Sequence, residues 1–202
     1  MAVAEFLDRF ERSVREREHL PAYLLDEEHI SLGEANALAN RFARWLIDTL
    51  GDDSAVVGIC TDARLETGAY IFGILKAGKV FLGLDPAYPA ERIRYMVEQS
   101  GCSLIVTDGA VSPDVFGDVR MVSVRNIASM VRPYPGSNLR RGTEGEQPAY
   151  VTFTSGSTGR PKAVLAPVRQ VDNRFSWMWE NYPFGVGEVC CHRMPLSFVD
   201  TV

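Results

Sequence analysis

The sequence is poor in the features that mark several common protein classes. Its 202 residues include four cysteines and three histidines, with no CxxC pair and no Cys/His spacing typical of a zinc site. The net charge of -5 argues against a general nucleic-acid or anionic-membrane binder. No apolar run reaches transmembrane length, and the charged N-terminus is unlike a secretory signal. These absences favour a globular cytoplasmic protein with neither nucleic acid nor membrane as a partner, and no metal ligands are assigned.

The four cysteines fall into two pairs. Cys60 and Cys102 each sit in an apolar run, which favours buried thiols over a disulfide. Cys190 and Cys191 are adjacent and are followed by His192. They are either redox-active or packed in a strand, and strand packing is the preferred interpretation.

What the sequence does contain is an alternation of helical and β-rich segments. Apolar residues recur at helical spacing after Ser31 or Gly33, and Gly51 is a stop signal. The predicted elements are helix 33–50, strand 55–60, helix 66–78, strand 79–85, a turn and a helix over 86–101 with the helix beginning after Pro89, and strand 103–108. This rhythm predicts an α/β fold with a mainly parallel sheet flanked by helices.

The ends of the chain carry weaker patterns. Phe6, Phe10 and Val14 are spaced as on a short amphipathic helix, within a lead-in that covers residues 1–30. Residues 132–147 are polar and rich in Pro and Gly, which predicts a surface connection. A strand at 149–153, a second strand near 163–166 and a helix at 169–181 follow. That last region carries four aromatic residues expected to pack in the core rather than bind a ligand: Phe175, Trp177, Trp179 and Tyr182.

The stretch "YVTFTSGSTGRPKAV", residues 150–164, has the composition of a phosphate-binding loop. Its glycines allow the main chain to approach a ligand, its hydroxyls add donors, and Lys162 adds a compact positive charge. It is not a Walker A loop, because Pro161 and Ala163 stand where that motif needs Gly and Ser or Thr. A flexible linker is the alternative, but a linker does not belong between two β-type runs.

The order of residues in this loop resembles the phosphate-loop signature of the adenylate-forming (AMP-binding) superfamily. Two earlier stretches are similar to family motifs in the same order: "ISLGEANALANRFARWL" at 30–46 and "LKAGKVFLGLDPAYPAERIRYMVEQSGCSLIVTD" at 75–108. The form "DPAYPAER" points to the amino-acid adenylation branch found in nonribosomal peptide synthetases. The resemblance implies a partial adenylation domain over 1–202, with the core sheet in 30–202 and the phosphate loop at 152–162.

The resemblance also implies a two-step reaction. A substrate carboxylate attacks the α-phosphorus of ATP, and the acyl adenylate then passes to a phosphopantetheine thiol on a carrier protein. Mg²⁺ takes part, but its ligands lie in a later family segment, so neither metal ligands nor catalytic residues are assignable here. By motif position the ATP-phosphate ligands are Thr154, Ser155, Gly156, Ser157, Thr158, Gly159 and Lys162.

The segment "LSFVDTV", 196–202, resembles the family's "LSFDASV", whose aspartate binds the α-ammonium of an amino acid. Here Val199 holds that position and the carboxylate is one residue later, at Asp200. One residue moves a charge by about 3 Å or more. The hypothesis is therefore a β-amino acid substrate, with β-alanine first; the alternative is that Asp200 caps a helix.

The chain is under half as long as typical family members and departs from them at Gly83, usually proline, and Ala163, usually glycine. Three hypotheses follow. The chain is the N-terminal part of an adenylation enzyme that needs the downstream part for catalysis. Alternatively it is a non-catalytic nucleotide- or pyrophosphate-binding or docking module, or a degenerate remnant.

Overall fold

The architecture centres on a six-stranded sheet. The computed structural model describes residues 4–62, 64–139, 145–154, 161–185, 187–192 and 195–197. The helices are α1 (Glu5–Arg17), α2 (Leu32–Leu50), α3 (Thr67–Lys76), α4 (Ala90–Ser100), α5 (Val124–Val131) and α6 (Val168–Asn181). The strands are β1 (Pro21–Leu25), β2 (Glu28–Ser31), β3 (Val56–Cys60), β4 (Val80–Leu84), β5 (Cys102–Thr107), β6 (Arg120–Ser123), β7 (Pro148–Thr154) and β8 (Lys162–Pro167).

The strands of the large sheet follow the order β6-β5-β3-β4-β7-β8, and the middle of this sheet is parallel and buried on both faces. Strand β3 pairs in parallel with β4 and β5, and every residue of β3 and β4 is buried. One apolar cluster joins the sheet to α2, α3 and α5, and a second joins it to α4 and the short 3-10 helix Pro113–Phe116. Continuous apolar strands separated by helices are what a parallel sheet covered on both faces requires. The predicted α/β fold with a mainly parallel sheet is confirmed.

Local signals set the ends of the helices much as the sequence indicates. Ser31 caps α2 by accepting a hydrogen bond from the Glu34 N–H, and the Glu34 carboxylate accepts one from the Ser31 N–H, forming a capping box. Gly51 ends α2 with a φ of 72°, and Gly101 ends α4 in the left-handed region. The amphipathic helix around Phe6 and Val14 is confirmed as α1.

Four elements lie where the sequence pattern predicts none. Strands β1 and β2 form an antiparallel hairpin in the predicted lead-in, and β6 and α5 lie in 120–131. Only one residue of β6 is buried, and none of β1 or β2 is. Such short, half-exposed strands lack the apolar alternation on which a sequence prediction depends.

Two lysines are buried inside the fold. Lys76 Nζ donates to the Glu11 carboxylate at 2.6 Å and to the side-chain oxygens of Asn36 and Asn40 at 2.7 and 2.9 Å, which ties α1, α2 and α3 together. Desolvation lowers the pKa of Lys76, and the Glu11 carboxylate opposes that shift. Lys79 Nζ donates to the carbonyls of Gly51 and Asp53, which follow α2. A buried cation is tolerated only with partners of this kind.

The polar connection at 132–147 is fixed to the core. Asn40 donates from its side chain to the Gly136 carbonyl and the Asn138 side chain, at 2.8 and 2.9 Å. Arg44 donates to the carbonyls of Pro135 and Ser137. No residue of its described part, 132–139 and 145–147, is buried, in agreement with the predicted surface location, and α2 supplies the bonds that hold residues 135–138.

The cysteine predictions are half right. Cys60 and Cys102 are buried free thiols, as expected. Burial raises the pKa of Cys60 to about 12 and that of Cys102 to about 11, so both stay protonated at neutral pH. Cys190 and Cys191 are exposed and lie outside the described strands, so the strand-packing interpretation is wrong.

The structure also bears on membrane insertion. Within the described ranges, no helix combines the length and apolar character needed to cross a bilayer.

Candidate functional site

The candidate phosphate loop connects the two strands of an antiparallel hairpin. Strands β7 and β8 pair from Pro148–Pro167 at one end to Thr154–Lys162 at the other. Thr154 is the last residue of β7 and Lys162 the first of β8, and both are exposed. The hairpin thus sets the two ends of the loop side by side and presents a hydroxyl and an ammonium to solvent there.

The parallel sheet determines where this loop sits. Strand β7 pairs in parallel with β4, in the register Phe81–Tyr150 and Leu82–Val151. Its carboxyl end therefore lies at the same edge of the sheet as the carboxyl ends of β3, β4 and β5. In open α/β sheets this edge is where ligands bind.

Charged groups line the neighbouring part of that edge. The Asp108 carboxylate, just after β5, accepts from the Asp62 N–H at 3.1 Å and lies 3.5 Å from the Arg64 guanidinium. Burial acts to raise the pKa of Asp108, but hydrogen bonds from the Ala110 and Asp62 N–H groups and the charge of Arg64 outweigh it and lower that pKa. This carboxylate is therefore ionised and already paired.

Helix α4 holds both sides of the loop. The Tyr95 hydroxyl donates to the Pro161 carbonyl at 2.9 Å, immediately before Lys162. The Tyr95 ring also meets Phe153, which precedes Thr154, edge-on with 6.3 Å between the ring centroids. The sequence analysis did not identify Tyr95 as a site residue. The one signal in the sequence was that Tyr95 is an aromatic residue on a predicted helix.

The segment 195–197 lies against the carboxyl end of β4. A Cβ at Gly83 would be 2.0 Å from the Leu196 carbonyl oxygen, so only glycine admits this approach. The Ser197 hydroxyl and the Tyr88 hydroxyl lie 2.8 Å apart and share a hydrogen bond. Gly83 thus gives segment 195–197 its place beside β4.

Tyr88 is itself held by its neighbours. The Asp85 carboxylate accepts from the Ala87 N–H at 2.8 Å, a bond typical of an aspartate that forms a turn. The Arg92 guanidinium lies 3.9 Å from the centroid of the Tyr88 ring. The Tyr88 hydroxyl that meets Ser197 is therefore positioned by a turn on one side and a stacked guanidinium on the other.

The structure describes only part of the predicted site. Thr154 and Lys162 are brought together as above. The other predicted phosphate ligands, Ser155, Gly156, Ser157, Thr158 and Gly159, lie outside the described residues, as do the predicted substrate residues Val199 and Asp200. Among the residues that the structure does describe, no group of three or more His, Cys, Asp or Glu side chains could hold a metal ion.

The aromatic residues of α6 divide into two groups. Phe175 and Trp179 stack with 5.6 Å between centroids and pack against α1, where Arg9 covers Trp179. Trp177 and Tyr182 are 55% and 67% exposed, so the expected core packing is wrong for them. A groove of about 500 Å³ lined by aromatic residues lies between α1, α3 and α6.

Known proteins match this chain over nearly all of its length. A sequence model described as "AMP-binding enzyme" matches residues 10–201. Gramicidin S synthase 2 of Brevibacillus brevis is 32% identical over 94% of the chain, which covers 4% of that protein. Zwittermicin A synthase ZmaJ of Bacillus cereus is 32% identical over 94% of the chain, which spans 36% of its length.

Solved structures support the fold. MatB from Rhodopseudomonas palustris superposes with a TM-score of 0.80 at 18% identity, over 96% of this chain and 41% of that one. The nonribosomal peptide synthetase FmoA3, bound to alpha-methyl-L-serine-AMP, superposes with a TM-score of 0.75 at 22% identity, over 87% of this chain and 19% of that one. The chain therefore belongs to the AMP-binding enzyme family, as the N-terminal part of an adenylation domain of the nonribosomal peptide synthetase type.

Proposed function

We propose that the chain supplies the phosphate-binding part of an ATP-dependent amino-acid adenylation site. The reaction joins the carboxylate of an amino acid to the α-phosphorus of ATP and releases pyrophosphate. The observation that carries the proposal is the Thr154–Lys162 pair, which closes the hydroxyl-rich loop at the carboxyl edge of the parallel sheet. Family membership supplies the reaction class.

The role of the loop follows from its chemistry. Negative charge gathers on the leaving pyrophosphate as its bond to the α-phosphorus breaks. The Lys162 ammonium, the hydroxyls of Thr154, Ser155, Ser157 and Thr158 and the backbone N–H groups of the loop would donate to the β- and γ-phosphates. Mg²⁺ would further neutralise these phosphates, held by residues outside this chain.

The substrate class in this proposal is a β-amino acid, with β-alanine first. Val199 replaces the aspartate that the family uses for an α-ammonium, and Asp200 follows it. The anchors at Gly83 and Tyr88 hold Leu196 and Ser197 at the carboxyl end of β4, so Asp200 lies three residues beyond a fixed point. A carboxylate displaced by one residue suits an ammonium one carbon further from the reacting carboxylate.

Moving the carboxylate from position 200 to position 199 tests this substrate assignment. In a form extended by the downstream coding sequence, wild type should form β-alanyl adenylate, which hydroxylamine traps as a hydroxamate. The double substitution Val199→Asp, Asp200→Ala should lower that yield and raise the yield with α-alanine. Val199→Ala, with Asp200 kept, is the matched control and should retain the preference for β-alanine. A wild type that prefers α-alanine contradicts the assignment.

The proposal also names partners. The adenylate would pass to the phosphopantetheine thiol of a carrier protein in the cytoplasm, where ATP is available. Full activation would need the downstream part of the domain, since the chain spans 36% of ZmaJ and 41% of MatB. Without that part, the chain would bind nucleotide but not turn it over.

Calorimetric titration of the 202-residue chain tests the phosphate site without requiring turnover. ATP and pyrophosphate should bind, because both present the phosphates that the loop recognises. AMP should bind far more weakly, because it lacks them. Equal binding of AMP and ATP, or no binding of ATP and pyrophosphate to the folded chain, would remove the phosphate-loop assignment and favour a docking module or a remnant.

A further inference from the structure

Two adjacent thiols lie on an exposed stretch just upstream of the candidate substrate segment. Cys190 and Cys191 are free and exposed, and Val189 beside them is 74% exposed. Cys60 and Cys102 are instead buried in the sheet core, which raises their pKa values and shields them from solvent. One chain therefore contains two accessible and two protected thiols.

Described residues before and after Cys190 and Cys191 are held by contacts of their own. On the N-terminal side, the Glu188 carboxylate accepts from the Gly185 N–H at 2.8 Å and closes a turn after α6. On the C-terminal side, Leu196 rests on Gly83 and Ser197 is bonded to Tyr88. Cys191 lies four residues before the segment 195–197 in the sequence.

The geometry of neighbouring cysteines determines what a disulfide between them would be like. Consecutive Cα atoms are about 3.8 Å apart across a trans peptide, which is shorter than the ~4.4–6.8 Å usual for disulfides. A disulfide between neighbours thus closes a small strained ring and is easier to reduce than a structural one. Such a bond forms under oxidising conditions and is reduced again when the surroundings become more reducing.

We propose that Cys190 and Cys191 form a reversible thiol–disulfide site whose oxidant is a low-molecular-weight disulfide. One cysteine thiolate attacks a sulfur of that disulfide, forming a mixed disulfide and releasing one small thiol. The second cysteine thiolate then displaces the other small thiol and closes the Cys190–Cys191 bond. The protein loses two electrons and two protons, and the small disulfide gains them as two thiols.

Closing the ring restricts the backbone at residues 190–191 and is expected to shift the segment 195–197 relative to Gly83 and Tyr88. This coupling concerns the candidate substrate segment and so rests on the proposed function. The thiol chemistry itself does not, and it is measurable without any activity assay.

The test uses the native chain and oxidised glutathione as the probe, followed by alkylation and peptide mass analysis. We expect an intramolecular Cys190–Cys191 bond that dithiothreitol reverses, while Cys60 and Cys102 remain alkylatable after unfolding. The matched variant Cys190→Ser should stop at a glutathione adduct on Cys191. Hydrogen exchange at the Leu196 and Ser197 amides should differ between the oxidised and reduced chains, and should not differ in Cys190→Ser.

Three results would overturn the proposal. Wild type could keep separate glutathione adducts on both cysteines, form dimers linked between chains, or leave both thiols unmodified under conditions that modify free cysteine. An intramolecular bond with unchanged exchange at 195–197 would remove the coupling to the substrate segment. Failure of ATP binding with an intact ring would count against the proposed function alone.

Discussion

Burial differs sharply between two regions of the sheet: the parallel strands β3, β4 and β5, and the β7–β8 hairpin, whose strand β8 is largely exposed. Strands β3 and β4 are buried at every position, between two apolar clusters. In β8, four of six residues are exposed, including Val164 and Leu165 at 43% and 58%. Burial gives the first region its stability, whereas exposure leaves the second free to present groups to a ligand.

This difference explains how the candidate site is held. Within the hairpin, β7 buries Ala149 and Val151 in the core, whereas β8 buries only one residue. The position of the hairpin comes from β4, to which β7 pairs, and from Tyr95 on α4. The segment 195–197 likewise depends on Gly83 in β4. The buried strands of the sheet thus position β8 and the segment 195–197, which themselves contribute little to the stability of the sheet.

The largest expected effect compares two leucines. Leu82→Ala in β4 removes a fully buried side chain and should lower the free energy of unfolding by about 2–5 kcal/mol. Leu165→Ala in β8 removes a side chain that is 58% exposed and should cost under ~0.5 kcal/mol. Urea denaturation of both variants measures the contrast, and equal losses would erase the distinction between the two regions.

The second prediction uses pH and the buried thiol Cys102. Burial raises its pKa from 9.0 to about 11, so between these values the unfolded chain releases this proton and the folded chain keeps it. The unfolded state then binds fewer protons, so stability falls as pH rises, by about 2–3 kcal/mol for this group near pH 11.

Unfolding under reducing conditions, at pH values from about 8 to about 11, checks this sign. In Cys102→Ala, the free energy of unfolding should decrease less with rising pH, by the amount attributed to Cys102. Cys190→Ala, at an exposed position, is the control and should leave the fall unchanged. A steeper fall in Cys102→Ala would contradict the burial argument.

The third prediction concerns the hairpin. Lys162→Ala should weaken ATP binding about 10- to 100-fold, since a charged hydrogen bond to phosphate contributes about 1.5–3 kcal/mol. The midpoint of unfolding should hardly change, because Lys162 is exposed. Arg125→Ala, which removes an exposed cation on α5, should leave ATP affinity as in wild type; equal losses in both would indicate only a general charge effect.

The smallest expected effect is at Tyr95. Tyr95→Phe keeps the ring against Phe153 but removes the hydrogen bond to the Pro161 carbonyl. Loss of one neutral hydrogen bond, about 1 kcal/mol, should weaken ATP binding about fivefold if the bond positions Lys162. Titration calorimetry would detect this, and unchanged affinity would show that β7 and β8 alone position the loop.

The parallel core was predictable because its signals are local. The apolar runs of β3, β4 and β5 and the glycines at 51, 78 and 101 mark strands and helix ends without reference to distant residues. The loop was predictable for the same reason, since its composition and order are contiguous from Thr154 to Lys162. Motif resemblance then indicated the family.

The remaining features depend on contacts between distant residues. Lys76 is buried because Glu11, 65 residues away, and Asn40, 36 residues away, meet it in the fold. Tyr95 reaches Pro161 across 66 residues. The prediction of a strand at Cys190 was wrong because, in the described structure, the residues around it pair with no sheet.

The most direct test of the adenylation assignment is exchange of labelled pyrophosphate into ATP, measured with a panel of amino acids on the chain and on the form extended by the downstream coding sequence. We expect exchange that depends on β-alanine in the extended form, and its loss in Lys162→Ala. A folded, ATP-binding extended form with no exchange for any amino acid would contradict the assignment.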